Sequence, residues 1–370
     1  MPGSFHEDTL PFEDKGMPDN VSRQERNRVL SGVSTGDCFA SIDLGSHTVR
    51  LLIARRDNLE IVPLCVERRI TRLAEDFGTE DRLGKKGMHA TLAAMEEYVR
   101  LIRRYEVEFV SCGATGVVRR ARNQDDFLDQ VRRRTGISPA VLSENSEALL
   151  SAKGTLSALP PRAGLTLLFD LGGSSTEFLL LDSAHPDAPL FVTSVFVGAA
   201  TLTERFLAGD PPSASSLAAA AAAAAGSVAP VISAVAPHLA AIRPDRPFLL
   251  AGTAGTVTTL AAMYLRMEPY EPFRVNGLAL SYAWISEMIA SLASSTPAQR
   301  GGIRGLEKGR EDIILGGAVI VGEIVRGFNV DTLTAADAGL LEGLLLDLVE
   351  KSCGIRSTLV SPLTWRPQKE

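Results

Sequence analysis

Two stretches of the chain run through the same order of apolar and polar patterning. In the first, residues 38–44 and 49–55 are apolar runs joined by a tight Gly-Ser turn, and they predict two strands, with residues 59–67 as a third. Residues 88–105 then switch to helical spacing, with Leu92, Met95, Tyr98, Val99 and Ile102 on one face. A strand over 108–115, a helix at 125–134, a short strand at 140–142 and a helix through 143–154 close this half.

The second half repeats the order. Residues 165–173 form an apolar run ending in Asp-Leu-Gly-Gly, and 176–182 and 190–198 supply two further strands. Helices reach to about residue 242, and 247–255 is the next buried strand, opening into a helix near Gly255. Segments 314–325, 332–337 and 339–349 complete the unit as helix, strand and helix. The order strand-turn-strand-strand-helix-strand-helix thus occurs twice, with Asp43-Leu44-Gly45-Ser46 and Asp170-Leu171-Gly172-Gly173 at equivalent places. This predicts a duplicated α/β fold, two similar domains facing a cleft, each contributing a glycine turn. The boundaries follow as 1–36, an extension without hydrophobic period; 37–162 and 163–350, the two domains; and 351–370, a tail.

Composition narrows the function classes. The 370 residues suit two domains, at about 150 residues each. With 45% hydrophobic and 22% charged residues the chain reads as globular. A net charge of −6 leaves no global basic field to recruit nucleic acid, and 6% aromatics argue against base stacking on single strands. Cys38, Cys65, Cys112 and Cys353 are scattered, without zinc spacing, and read as free thiols of a reducing cytoplasm. The acidic N-terminus lacks the apolar core of a secretory signal. Residues 217–242 are nearly uncharged, but the alanines of 218–225 bury little area and Pro230 and Pro237 interrupt the rest. They read as an Ala-rich helix of a soluble domain, not a membrane span.

Candidate chemistry gathers at three glycine loops. In the first, Asp43 ends a strand and Gly45, Ser46 and His47 form a turn whose N–H groups can cradle an anion. In the second, Asp170 and Glu177 bracket Gly172, Gly173, Ser174, Ser175 and Thr176. Two carboxylates around a phosphate-sized turn suit a hard cation such as Mg²⁺, which takes oxygen ligands and shares them with substrate phosphate. The third is a strand-to-helix turn holding Gly252, Thr253, Gly255 and Thr256, another anion site at a helix start. Glu147 falls in the first turns of a helix, where an acid also simply complements the dipole. Arg119, Arg120 and Arg122 offer forks for phosphate or a solvated surface. With Arg103, Arg104 and 132–134 they form a basic track if they share a face.

Taken in order, these segments resemble the exopolyphosphatase and guanosine pentaphosphate phosphohydrolase family, which shares the actin, Hsp70 and sugar-kinase fold. The resemblance runs from about Cys38 to Glu350. IDLGSHTVRLLIA resembles the first phosphate loop, ATGVVRRARN the stretch with the substrate-binding arginine, and LSENSEA the stretch with the water-activating glutamate. FDLGGSSTEF resembles the second phosphate loop, and VGAATLTERF, LAGTAGTVTTLAA and GREDIILGGAVI follow in the family's order. His47 stands where the family usually has asparagine, Ser174 where it has a third glycine, and Leu341 where it commonly has arginine. The chain resembles the short members that lack appended helical domains.

The resemblance implies hydrolytic phosphoryl transfer on inorganic polyphosphate or guanosine pentaphosphate, with the terminal phosphate held by the glycine loops in the inter-domain cleft. It implies Glu147 as the group that activates water and Arg119 as a positive fork. Mg²⁺ or Mn²⁺ would be held by Asp170 and Glu177, with Asp43 through water. It also implies a homodimer; charge and composition, as above, leave neither nucleic acid nor membrane as partner. Two alternatives stay open: a transferase using ATP and a small acceptor, and a nucleotide-binding regulator that kept the cleft and lost turnover.

Overall fold

The computed structural model describes residues 37–354 and 364–365, apart from 59, 78–80, 161–163, 183–184, 186–187, 210 and 242–246. The 1–36 extension and most of the 351–370 tail therefore lie outside the described residues. The chain divides into two compact units, one taking residues up to Leu142 together with residues from Leu344, the other Ser143–Gly343.

In the first unit, strands β1 (Cys38–Leu44), β2 (Thr48–Asp57) and β3 (Glu60–Ile70) are followed by helix α1 (Lys85–Arg104) and strand β4 (Phe109–Ala114). A five-residue helix α2 (Gly116–Arg120), helix α3 (Gln124–Thr135) and strand β5 (Ala140–Val141) follow. The strands β1, β2 and β3 form an antiparallel meander, while β4 and β5 add in parallel, giving the order β3-β2-β1-β4-β5. The apolar stripe of α1 is buried as its spacing predicts: Leu92, Met95, Tyr98, Val99 and Ile102 pack with Ile42, Leu51, Ile53 and Phe127 in one core.

The second unit opens with helix α4 (Glu144–Ala158), then strands β6 (Leu165–Leu171), β7 (Thr176–Asp182) and β8 (Phe191–Val195). Helices α5 (Ala199–Phe206) and α6 (Ala214–Ala240), strand β9 (Phe248–Thr253) and helix α7 (Ala254–Leu265) follow. Strand β10 (Ala279–Ser281) and helices α8 (Tyr282–Ala293), α9 (Pro297–Arg300) and α10 (Ile314–Gly327) lead to β11 (Thr332–Ala335) and to α11 (Leu340–Ser352), whose residues from Leu344 count with the first unit. The sheet runs β8-β7-β6-β9-β11, with β10 on its far edge, and repeats the meander-plus-parallel order of the first unit. The fold is thus α/β, with two units of similar topology. The first sheet carries its own addition, β12 (Thr364–Trp365), parallel to β3.

Period-2 alternation sorts the two faces of the second sheet. Leu165, Leu167, Phe169, Phe178 and Leu180 join the large core built with α7 and α10. Leu168, Leu179 and Leu181 face the other way, against Ala152, Leu149 and Leu156 of α4. The units therefore divide at Leu142 and Ser143 rather than at 162 and 163, because α4 packs on the second sheet. At the far end the division falls at Gly343, ahead of residue 350, since Leu344 packs against Gly113 of β4.

Helix α6 is long and apolar enough, by length and composition alone, to cross a membrane. In the fold it lays Ala220, Ala224, Val228, Val231 and Val235 along one stripe into the second core, a helical repeat that continues past Pro230. All four cysteines are free thiols, and burial pushes that of Cys112 far above its ordinary value.

Candidate functional site

The second glycine loop is a hairpin whose two flanking acids stand directly opposite each other. Leu171 pairs with Thr176 and Asp170 pairs with Glu177 across β6 and β7, while Asp170 pairs on its other side with Thr253 of β9. Alternation places both carboxylates on the face of Leu168 and Leu179, toward α4. Like charges directly opposite on neighbouring strands are destabilising, so a fold does not gain from this pair. The turn closes with Gly172 N donating to Ser175 O at 3.0 Å. It rests on the start of α5, where Ala199 N donates to Gly172 O, and Ala200 N and Thr201 N donate to Gly173 O. Ser174 and Ser175 are buried in it, and Thr176 Oγ1 is committed to Val197 O at 2.6 Å.

Helix α4 adds a third carboxylate. Ser143 caps it, its Oγ accepting from Ser146 N at 3.1 Å, and Glu147 follows in the first turns, only 7% exposed. Ser151, one turn later, donates its hydroxyl to Asp170 Oδ2. Ser194 of β8 donates to Glu177 Oε1 at 2.9 Å. Burial pushes the Glu177 carboxyl well above the usual carboxylate range, and the charges of Glu147 and Asp170 push it further; the Ser175 and Ser194 hydroxyls pull the other way. A buried group flanked by two like charges calls for a proton or a cation.

The third loop is shaped by packing as much as by ligand geometry. Thr253 Oγ1 donates to Ala338 O at 2.7 Å. Ala254, the first residue of α7, sits at φ 72°, a left-handed conformation costing an L-residue about 1–2 kcal/mol. Gly252 lies against the ring of Phe169, and Thr256 against Gly317 of α10, which accounts for both without a ligand. Gly255 is different. A Cβ there would collide with the guanidinium of Arg310, which is buried and ion-paired with Glu307 at 2.5 Å. The helix start thus has a cation lying against its backbone.

The first unit carries the corresponding hairpin with a different charge balance. Asp43 pairs in register with Arg50, whose Nε and Nη2 both donate to Asp43 Oδ2, at 3.1 and 3.0 Å. Asp43 Oδ1 is buried without a hydrogen-bond partner among the described residues. Gly45 N closes the turn on Thr48 O at 3.1 Å, Ser46 Oγ accepts from Val117 N at 3.3 Å, and the buried His47 accepts two backbone bonds, from Thr71 N and Arg72 N. Arg119 ends α2, half-buried, with Nη1 donating to Leu142 O at 2.9 Å. The basic track is broken up by acids: Arg134 pairs with Glu96, Arg132 with Asp129, and Arg120 with Asp81 at 4.0 Å.

The fold therefore brings Glu147, Asp170, Ser175, Glu177 and Thr253 together in the second unit, and Asp43, Ser46, His47 and Arg119 lie in the first. Of the departures from the family pattern, Ser174 and Leu341 are buried at 4% and 1% exposure. Four residues at the site escaped the sequence reading. Arg50 lies seven residues after Asp43, the spacing that separates Asp170 from Glu177, and that parallel could have found it. Ser151 lies one helical turn from Glu147, a weaker sign. Ser194 and Arg310 carry no local signal.

The chain matches the Ppx/GppA phosphatase family over residues 52–352. It is 29% identical over 324 residues to exopolyphosphatase 2 of Mycobacterium tuberculosis, covering 84% of this chain and 98% of that protein. The crystal structure of the Aquifex aeolicus Ppx/GppA family member superposes with a TM-score of 0.70 at 29% identity, covering 85% of this chain and 98% of the other. An exopolyphosphatase from Cytophaga hutchinsonii, at 22% identity and a TM-score of 0.76, covers 88% of this chain and 100% of its own and shares the fold.

Proposed function

This chain belongs to the Ppx/GppA phosphatase family, and on that premise we propose that it is a phosphohydrolase releasing the terminal phosphate of inorganic polyphosphate or guanosine pentaphosphate, with water as acceptor and Mg²⁺ as cofactor. The observation that carries this reading is the Asp170–Glu177 pair, set face to face at a glycine and hydroxyl turn with Glu147 beside it. The pair costs the fold stability unless a positive species joins it. In the first unit the residue opposite the aspartate is Arg50; in the second it is a second acid, Glu177.

The donor set fits Mg²⁺. Among the described residues no three of His, Cys, Asp and Glu stand close enough to cage an ion alone. The facing Asp170–Glu177 pair suits a cation that takes one or two carboxylates and completes its shell with water and substrate phosphate. Asp170 and Glu177 would hold it. When bound, it offsets the negative charge that builds on the transferring phosphoryl group.

The protein's own groups supply the rest. Glu147 orients a water and takes its proton as the oxygen bonds to the terminal phosphorus. The bridging P–O bond breaks, and orthophosphate and the shortened chain leave. The N–H groups of Gly173, Ser174 and Ser175, and those of Ser46 and His47, bind phosphate oxygens; Gly172 N and Gly45 N close their turns. Arg119 adds a fork that matches them. The four free thiols fit a reducing, cytoplasmic setting.

The test is orthophosphate release from tripolyphosphate, long polyphosphate and guanosine pentaphosphate, with Mg²⁺ and then with EDTA. Release that needs the metal and no acceptor supports the reading and ranks the substrates. Folded protein that releases phosphate from none of them refutes it in favour of a binding protein, and release only when an acceptor is added points to a transferase.

A further inference from the structure

Ser151 lies outside every phosphate loop, yet it joins the helix of Glu147 to the carboxylate pair. It follows Glu147 by four residues, so the two project from one face of α4, and both are buried, at 3% and 7% exposure. Its hydroxyl donates to Asp170 Oδ2. One turn further, Thr155 Oγ1 lies within hydrogen-bond reach of two carbonyls, Ser151 O at 2.9 Å and Ala338 O at 3.0 Å, and Ala338 O also accepts from Thr253 Oγ1. A single stripe of α4 is thus fastened to the ends of the sheet. Ser151, Thr155, Asp170, Glu177 and Thr253 also line one small cavity beneath the pair.

Without that hydroxyl, two things are free to change. The Asp170 carboxylate loses a donor that fixes its orientation, and the turn of α4 that presents Glu147 loses its direct tie to Asp170. Resting on the reading that Asp170 and Glu177 receive a divalent cation, we propose that Ser151 is a positioning residue, fixing the orientation of Asp170 for the metal and the placement of Glu147 relative to it. Hydrogen-bond partners of ligating side chains typically matter by about 10- to 100-fold in metal affinity or activity.

The experiment titrates Mn²⁺, as a spectroscopic stand-in for Mg²⁺, into wild type, S151A and S151T without substrate, reading free Mn²⁺ by electron paramagnetic resonance. Melting temperature is recorded alongside. S151A should bind Mn²⁺ about 10- to 100-fold more weakly while melting close to wild type. S151T keeps the hydroxyl, and it should restore the affinity. Wild-type affinity in S151A overturns the proposal, as does a lowered melting temperature with unchanged affinity, or equal loss in both variants. A wild-type protein that binds no Mn²⁺ overturns the metal reading and this proposal with it; intact binding in wild type and S151A alike removes the role of Ser151 alone.

Discussion

Gly198 touches no substrate in the proposed reaction, yet its replacement by alanine should disable the second glycine loop. An ideal Cβ at Gly198 would lie 2.5 Å from Gly173 C, Gly173 O and Ser174 N, all backbone. Ordinary contact begins near 3.4 Å, so the loop and the start of α5 must part by about 1 Å. The backbone of Gly198, at φ −142°, accepts alanine without strain, so the effect is purely steric. Three hydrogen bonds, from Ala199, Ala200 and Thr201 to the carbonyls of Gly172 and Gly173, oppose the separation. Overpacking of this kind costs about 1–3 kcal/mol, and a misplacement of about 1 Å at a reacting centre costs about 100-fold in rate. G198A should therefore fold, melt several degrees lower, and release phosphate from tripolyphosphate about 100-fold more slowly at saturating Mg²⁺. Gly226 provides the control: it lies mid-helix in α6, and a Cβ added there would meet nothing within 4 Å. G226A should leave turnover unchanged and add up to about 1 kcal/mol of stability. Normal turnover in G198A, with stability at or above wild type, would refute the claim that α5 sets the loop.

Two more predictions follow from the charges at the site. Glu177 has a raised folded-state pKa, so its contribution to stability is fully present below the unfolded value near 4.5 and is lost as pH rises through the folded one. The metal-free protein should therefore melt progressively lower as pH rises above about 4.5; E177Q should flatten that slope, and Mg²⁺ should restore stability at high pH in wild type but much less in E177Q. A melting temperature that falls equally in both proteins would contradict it. R119A should raise KM for tripolyphosphate by roughly 10- to 100-fold, as for a lost charged hydrogen bond, and R119K should recover only part because it lacks the planar fork; steady-state kinetics decide this, and an unchanged KM would remove Arg119 from the site.

The duplicated sheet was legible because its strands are apolar runs with turn residues at their ends, and the acid pair was legible because both carboxylates flank a glycine turn. The charge logic was not. Asp43 and Asp170 look equivalent in sequence, and only the register shows that one faces Arg50 and the other Glu177. Helix α4 misled the domain boundary because it is buried on several sides, with Glu147, Ala148, Ser151, Ala152, Lys153, Gly154 and Thr155 all covered, so no apolar stripe announces which sheet it packs on. The α2 helix, five residues long, is too short to show a period. Helix α8 buries only Ile285 and Leu292, which leaves its pattern faint. Gly252 and Thr256 read as anion-binding by composition, whereas Phe169 and Gly317 explain them by packing, and such contacts between distant segments leave no local trace.

The central claim is that Glu147 activates the attacking water at this site. Its most direct test compares E147Q with wild type for orthophosphate release from tripolyphosphate at saturating Mg²⁺, with tripolyphosphate binding measured in parallel. Turnover should fall by about 10²- to 10⁴-fold while binding changes only a few-fold. Near-normal turnover in E147Q would contradict it.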